Sequence, residues 1–207
     1  MTEAYLSTLD ILVLGSAVSC CGAIAPLTAS EQAAVFDFIG NGGRFLFLSD
    51  NLLFAATADV ANASILATVG ITPGGQTFLG DVPIMPTGDP SHPILDGRSG
   101  SWSSSSTNYP GIFGNTGGAT VLGHLNGNPA WPALAAFEVG DLSPLSGRGV
   151  AVSDVNGVDL VSNQVMTNNI IDYLISTVEE LEAVPEPSRA VLSMLALGTV
   201  LFRRRRA

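Results

Sequence analysis

Few side chains in this 207-residue chain are suited to chemistry: two histidines, two cysteines, and carboxylates that stand where apolar runs end. Asp50 and Asn51 follow Arg44-Phe-Leu-Phe-Leu-Ser49, Asp154 and Asn156 follow Arg148-Gly-Val-Ala-Val-Ser153, and Ser16 follows Asp10-Ile-Leu-Val-Leu-Gly15. Carboxylates, amides and a hydroxyl delivered together at strand ends would make a polar crevice suited to sugar hydroxyls or a divalent cation. In open α/β sheets ligands bind beyond the carboxyl ends of the strands. Gly15, Ser16, Asp50, Asn51, Asp154 and Asn156 are therefore the candidate ligand-binding residues, and His92 is the imidazole most able to join them.

Catalytic machinery is harder to assemble from these parts. Ser16 has no base that the sequence positions beside it. Cys20 and Cys21 are adjacent, and neighbouring cysteines bridge only under severe strain, so the pair is no disulfide framework. No helix starts close enough to lower a thiol pKa. His92 precedes Pro93 in a turn and His124 lies between Gly123 and Asn126 at a strand end, places where a histidine commonly hydrogen-bonds structurally. Asp154-Val-Asn156-Gly157-Val-Asp159 partly matches a calcium loop, but its glycine is misplaced and no glutamate follows at the required interval. No catalytic residue, metal ligand or cofactor is assigned.

Charge excludes one class of partner. The chain has no lysine and a net charge of −10, and residues 1–183 hold 17 of the 18 acids against Arg44, Arg98 and Arg148 alone. Nonspecific nucleic-acid binding needs cations that displace condensed counterions, so nucleic acid is ruled out as that kind of partner. An anionic polysaccharide would also be repelled unless divalent cations bridged the surfaces. The acidity itself suits solubility.

The elements that would carry the polar ends are legible. Residues 10–15, 44–49 and 148–153 are short apolar runs of the kind buried on both faces of a parallel sheet. Thr28-Ala-Ser-Glu31 is a capping box opening a helix on which Val35, Phe36 and Ile39 share a face, and Gly40-Asn-Gly-Gly43 closes it. Strand, helix, strand in this order implies a right-handed crossover and an α/β layer architecture. Ala61, Ile65 and Val69 mark a second helix stopped by Gly70. Residues 77–118, with a serine cluster at 99–106, predict loops and short edge strands, with Trp102 and Tyr109 packing on the sheet rim or facing a partner. Strands are expected at 119–122 and 134–137, the latter antiparallel. Met166, Ile170 and Leu174 define a final helix, with Ile171 and Ile175 extending its stripe and Ser162 as its cap.

Together these motifs resemble the class I glutamine amidotransferase-like superfamily, particularly its DUF4350 and ThuA-like branch. The resemblance rests on Asp10 to Gly15, on Leu27-Thr-Ala-Ser-Glu31 through Gly42-Gly43-Arg44 to Asp50, and on Ala63 to Ile71. His92-Pro-Ile-Leu-Asp-Gly97 and Gly147-Arg-Gly-Val-Ala-Val-Ser-Asp154, before Asn168 and Leu174, complete it. It implies a flavodoxin-like three-layer sandwich with a mostly parallel sheet over residues 1–182. The enzymes of that superfamily carry a nucleophilic cysteine between glycines at a strand-to-helix elbow. Cys20 and Cys21 lack that context, so the amidotransferase triad is not implied.

Residues 183–207 form a separate segment. Pro185-Glu186-Pro187 cannot continue a helix and should be stiff and exposed. Ala190 to Phe202 carries no charge, and Arg203, Arg204, Arg205 and Arg206 form a cationic stop of the kind that stays cytoplasmic. As a helix the run would span about 20 Å, against roughly 30 Å of hydrocarbon, a shortfall that snorkelling arginines and local thinning would meet. Over residues 184–207 the ending resembles the PEP-CTERM sorting signal of exported bacterial proteins. That resemblance implies an apolar transmembrane sorting helix, processing by an exosortase, transient anchoring in the inner membrane, and release to the cell surface or exterior, often alongside exopolysaccharide production. Residues 1–10 carry Glu3 and Asp10 and no cation, so Ile11 to Ala25 reads as strand and loop rather than a signal peptide. The natural start is accordingly expected upstream of Met1.

The functional expectation is an exported, noncatalytic α/β binding domain for a carbohydrate or another envelope component. The alternative is a hydrolase using Asp50, His92 and Asp154 at the rim. A third reading is a structural matrix component retained through multivalent cations.

Overall fold

The computed structural model of the chain describes residues 1–19, 22–75, 78, 80–159 and 161–176. Met1–Ile175 form one compact unit, and of a second, Ser176–Ala207, only Ser176 is described. Cys20, Cys21 and the whole expected sorting signal lie outside the described residues. Among the described residues no helix is long and apolar enough to cross a membrane.

Short helix α1 (Glu3–Leu6) leads into strand β1 (Ile11–Gly15), and a small hairpin of residues 17–19 and 22–23 follows it. Helix α2 (Ala29–Gly40) starts at the capping box: the Glu31 N–H donates to Thr28 Oγ1 at 3.3 Å, and the Thr28 N–H donates to Glu31 Oε2 at 2.9 Å. Strand β2 (Arg44–Leu48) pairs parallel to β1, as the crossover requires. Helix α3 (Ala58–Leu66) continues as a 3-10 turn to Val69 and stops at Gly70, whose φ of 73° is the left-handed conformation that glycine adopts without steric cost. Strands β3 (Ile84–Pro86), β4 (Thr120–Leu125), β5 (Pro132–Phe137) and β6 (Gly149–Val152), then helix α4 (Gln164–Ile175), complete the unit.

The six strands form one sheet in the order β1-β2-β6-β5-β4-β3. Its first half is parallel, β1 to β2 and β2 to β6. The pairs β6–β5, β5–β4 and β4–β3 are antiparallel. The sheet is thus mixed rather than mostly parallel, and its first strand lies at an edge, whereas the flavodoxin order 2-1-3-4-5 places it inside. Connection length is the cause. Residues 126–131 and 138–148 are too few for a helical crossover, which needs a dozen or more, so β5 must turn back on both neighbours.

Alternation along the strands divides the core. Leu12, Phe45, Phe47, Ala135, Phe137 and Ala151 face α2 and α3, where they pack with Val35, Ile39, Ile65 and Val69. Gly149 on this face leaves the space that the Phe45 ring fills; a Cβ there would run into it. The opposite face carries Arg44 and Leu46 with Val150 and Val152, and α4 lies on it, the Arg44 Nη1 donating to the Ile175 carbonyl at 3.1 Å.

Three helix assignments shift. Phe36, one residue on from the buried Val35, falls outside the α2 stripe and is 49% exposed. Ile171 and Ile175 are exposed on the flank of α4, because the buried stripe runs Met166, Asn169, Ile170, Tyr173 and Leu174. Ser162 does not cap that helix: it lies in a 3-10 turn of residues 161–163, and its hydroxyl donates to Asn163 Oδ1 at 3.3 Å. Trp102 is buried, while Tyr109 is 47% exposed.

Candidate functional site

Register places the polar strand ends in rows. Gly15, Leu48 and Val152 are level across β1, β2 and β6. One residue further, Ser16 N–H donates to the Leu48 carbonyl and Ser49 N–H to the Val152 carbonyl, both at 2.9 Å. Ser16, Ser49 and Ser153 therefore form a row of buried serines at the carboxyl ends of the three parallel strands. Among the described residues the Ser16 and Ser153 hydroxyls find no hydrogen-bond partner. Asp50 and Asp154 occupy the next position on the adjacent strands β2 and β6, and they repel each other electrostatically. The structure thus brings Gly15, Ser16, Asp50, Asn51, Asp154 and Asn156 to one rim.

That rim carries a strap of the chain's own residues, 105–112. Asp154 is fully buried; its Oδ2 accepts the Asn108 N–H and its Oδ1 the Asn156 N–H, each at 2.7 Å. Gly111 N–H donates to the Ser153 carbonyl at 3.1 Å, and a Cβ at Gly111 would approach the Asp50 carbonyl to 2.8 Å, which explains the glycine. Asn51 Nδ2 donates to the Tyr109 carbonyl at 2.7 Å and to Asp50 Oδ1 at 3.1 Å. On its other side Tyr109 N–H donates to the Gly80 carbonyl at 3.1 Å. Held from both sides, Tyr109 sits at φ +59°, a conformation unfavourable for a bulky side chain, and its ring is turned outward.

Burial dominates the electrostatics. It pushes the Asp154 carboxyl up to about 7, against the opposing pull of the Asn108 and Asn156 amides, with Asp50 and Asp81 adding repulsion. Asp50, half-buried, is pushed up to about 6 by burial, partly offset by Asn51. These are acids whose ionisation is costly, and no group of three or more acids, histidines or cysteines suited to a metal ion occurs among the described residues.

His92 is elsewhere. Its Nδ1 accepts the Ile94 N–H at 3.1 Å, which places the neutral ring's proton on Nε2, and Nε2 faces Glu138 Oε1 at 3.4 Å. Arg148 Nε approaches the other Glu138 oxygen at 3.6 Å, the guanidinium stacks 5.1 Å above the Tyr173 ring, and Tyr173 donates to the Phe137 carbonyl at 2.8 Å. Glu138, with His92 as its main partner, is held below the usual carboxylate range. Arg148 precedes β6 and Asp154 follows it, so at about 3.3 Å per residue this cluster lies roughly 20 Å from the rim. His92 Nδ1 is thus hydrogen-bonded, while the buried Nε2 lies within 3.4 Å of Glu138 and makes no hydrogen bond among the described residues. His124 lies on β4, paired with Met85 of β3 and Pro132 of β5.

Three asparagines that the sequence reading passed over position these parts. Asn62, buried on α3, clamps Asp50, accepting its N–H at 3.1 Å and donating to its carbonyl at 2.7 Å. Asn163 accepts the Ser106 N–H at 2.8 Å and donates to the Ser106 and Asn156 carbonyls at 2.7 and 3.0 Å, fixing the strap. Asn169 holds Ser99, Ile94 and Gly100. A signal for Asn169 was present: it falls three residues after Met166 and four before Tyr173, on the apolar stripe, where an amide must be satisfied.

No protein-family model matches the sequence, and no curated protein is significantly similar to it. Solved structures resemble it in fold. The N-terminal domain of mmIFT52 superposes with a TM-score of 0.62 at 12% identity, covering 86% of this chain and 82% of that one. A β-galactosidase from Bacillus circulans sp. alkalophilus gives 0.53 at 14% identity; 81% of this chain matches 22% of that enzyme. A ThuA-like protein from Bacteroides uniformis gives 0.51 at 10% identity over 85% of this chain and 73% of its own. The body shares its α/β fold with ThuA-like proteins, and at such identities the likeness is one of fold alone.

Proposed function

We propose that the chain is an exported surface or extracellular protein whose α/β domain binds a carbohydrate at the rim without chemical turnover. The observation that carries the binding half is Tyr109: an outward aromatic ring, fixed in a strained backbone beside the half-buried Asp50. An aromatic face beside hydrogen-bonding groups suits a sugar ring, which has apolar C–H faces and a hydroxyl perimeter. Backbone strain of this kind is a reason to look for function at a residue. The noncatalytic half is supported by His92, which lies at the far end of the sheet against Glu138, and by Asp154, whose carboxylate oxygens are taken by backbone amides.

Calorimetric titration with a panel of neutral oligosaccharides tests this. Tyr109→Ala is expected to weaken the best ligand about tenfold or more, the equivalent of at least 1.4 kcal/mol, with an unchanged melting temperature. His92→Ala, provided it stays folded, should leave binding intact. Absence of binding by the wild-type chain would overturn this reading, and a hydrolytic activity abolished by Asp50→Asn would replace it with the enzyme alternative.

The exported half rests on Pro185-Glu186-Pro187, the apolar run and the four arginines. In an exosortase-bearing host, a chain supplied with an export leader and tagged at both ends, the first tag placed after the leader, is expected to lose the C-terminal tag and reach the surface. Glu186→Ala should leave the tag in place. Equal processing of both versions would remove this support.

A further inference from the structure

β1 is an edge strand, and among the described residues its outer side is unpaired. Arg44 N–H donates to the Asp10 carbonyl at 3.2 Å and Ser16 N–H to the Leu48 carbonyl at 2.9 Å, so the backbones of Asp10, Leu12, Leu14 and Ser16 turn toward β2. Ile11, Val13 and Gly15 turn their N–H and C=O groups the other way. Among the described residues no strand pairs with that side and none bonds to it. Edges are usually blunted by a charge, a proline or a bulge. Ile11–Gly15 has none of these and runs in unbroken register with β2, with Val13 57% exposed.

We propose that this edge joins two copies of the chain, β1 pairing antiparallel with β1 of a second copy about a two-fold axis through Val13. The pattern is self-complementary. Val13 would exchange two hydrogen bonds with Val13 of the partner subunit, and Ile11 would exchange two with the partner's Gly15, as Gly15 would with the partner's Ile11. Charge permits the contact. Asp10 falls opposite the partner's Ser16, and the two Asp10 carboxylates stand about 20 Å apart, beyond the Debye length of about 8 Å at physiological ionic strength. Apolar surface also matches. The Arg44 bond to Ile175 places the end of α4 on the sheet face that carries Val13, and the two-fold puts both α4 helices on that same face. The exposed Ile171 and Ile175 belong to this side of the molecule.

Two measurements on the full chain in density-matched detergent test the pairing. Sedimentation equilibrium should give twice the chain mass at tens of micromolar, and Val13→Lys, which sets like charges across the axis, should give the single mass with unchanged circular dichroism. In a Cys20→Ser/Cys21→Ser background, Val13→Cys should form an intermolecular disulfide on mild oxidation, because Cα atoms of a hydrogen-bonded antiparallel pair lie about 5.5 Å apart, within disulfide range. Leu53→Cys, exposed elsewhere, should not. A single-mass wild type with no Val13→Cys cross-link overturns the proposal, even if some other chain is found on this edge. If Val13→Lys unfolds, the cross-link alone decides.

Discussion

Thermal unfolding is expected to occur roughly 5–10 °C higher at pH 5 than at pH 8, and Asp154→Asn should remove most of that difference. Asp154 is buried and its carboxyl is raised to about 7, whereas an unfolded aspartate titrates near 3.9. A raised folded-state value means that the folded chain holds its proton more tightly. The associated stability is complete below about pH 4 and is lost as pH rises through 7. From pH 5 to 8 this amounts to about 2–3 kcal/mol, and each kcal/mol shifts the melting temperature of a domain this size by about 2–4 °C. Asp50, raised to about 6, acts in the same sense. His124, held below its ordinary value by burial, acts in the opposite sense near neutrality. Glu31, Asp89 and Glu138 are all lowered, so their contributions are lost only in more acidic solution. A melting temperature independent of pH, or an Asp154→Asn variant with the wild-type slope, would contradict this account of the rim.

Asn163→Ala is expected to cost about 2–4 kcal/mol and to loosen the strap. Three backbone groups lose their partner at once: the Ser106 N–H and the Ser106 and Asn156 carbonyls. Each group left buried and unpaired costs about 1–3 kcal/mol, less whatever relaxation admits water. The effect should extend beyond stability, because the strap also supplies the Asn108 amide to Asp154 and holds Tyr109. Urea unfolding gives the energy, and hydrogen exchange at Ser106 and Asn108 gives the loosening. Asn168→Ala, at an exposed neighbouring position, is the control and should change stability by no more than about 0.5 kcal/mol. Equal effects at Asn163 and Asn168 would remove Asn163 from its positioning role.

The split between readable and unreadable parts follows the range of the interactions. The apolar runs at 10–15, 44–49 and 148–153 and the Thr28–Glu31 box are local patterns, set by burial periodicity and by a cap that closes within one turn. They folded as their composition dictates. The direction of β5 was legible only as an antiparallel expectation, since a run buried on both faces looks alike in either orientation. Its consequence, a sheet antiparallel over half its width, depends on which strands lie side by side. The convergence of Ser16, Asp50 and Asp154 followed from strand ends pointing one way. Their covering by residues 105–112 did not, because the serine-rich stretch has no period that says where it crosses the sheet.

His92 marks the same boundary. Its turn was visible, but its distance from Asp154 depends on the strand that separates Arg148 from that carboxylate and on the partners Ile94 and Glu138. By itself the sequence determined the buried strands, the helix caps, the acidic surface and the set of polar residues at strand ends, since each rests on residues within a few positions of one another. Only the tertiary structure decided the strand order, the place of β1 at the sheet's edge, the strap over the carboxyl pair and the buried asparagines that hold it. Those features arise from hydrogen bonds and burial between segments tens of residues apart, whose geometry no local pattern encodes.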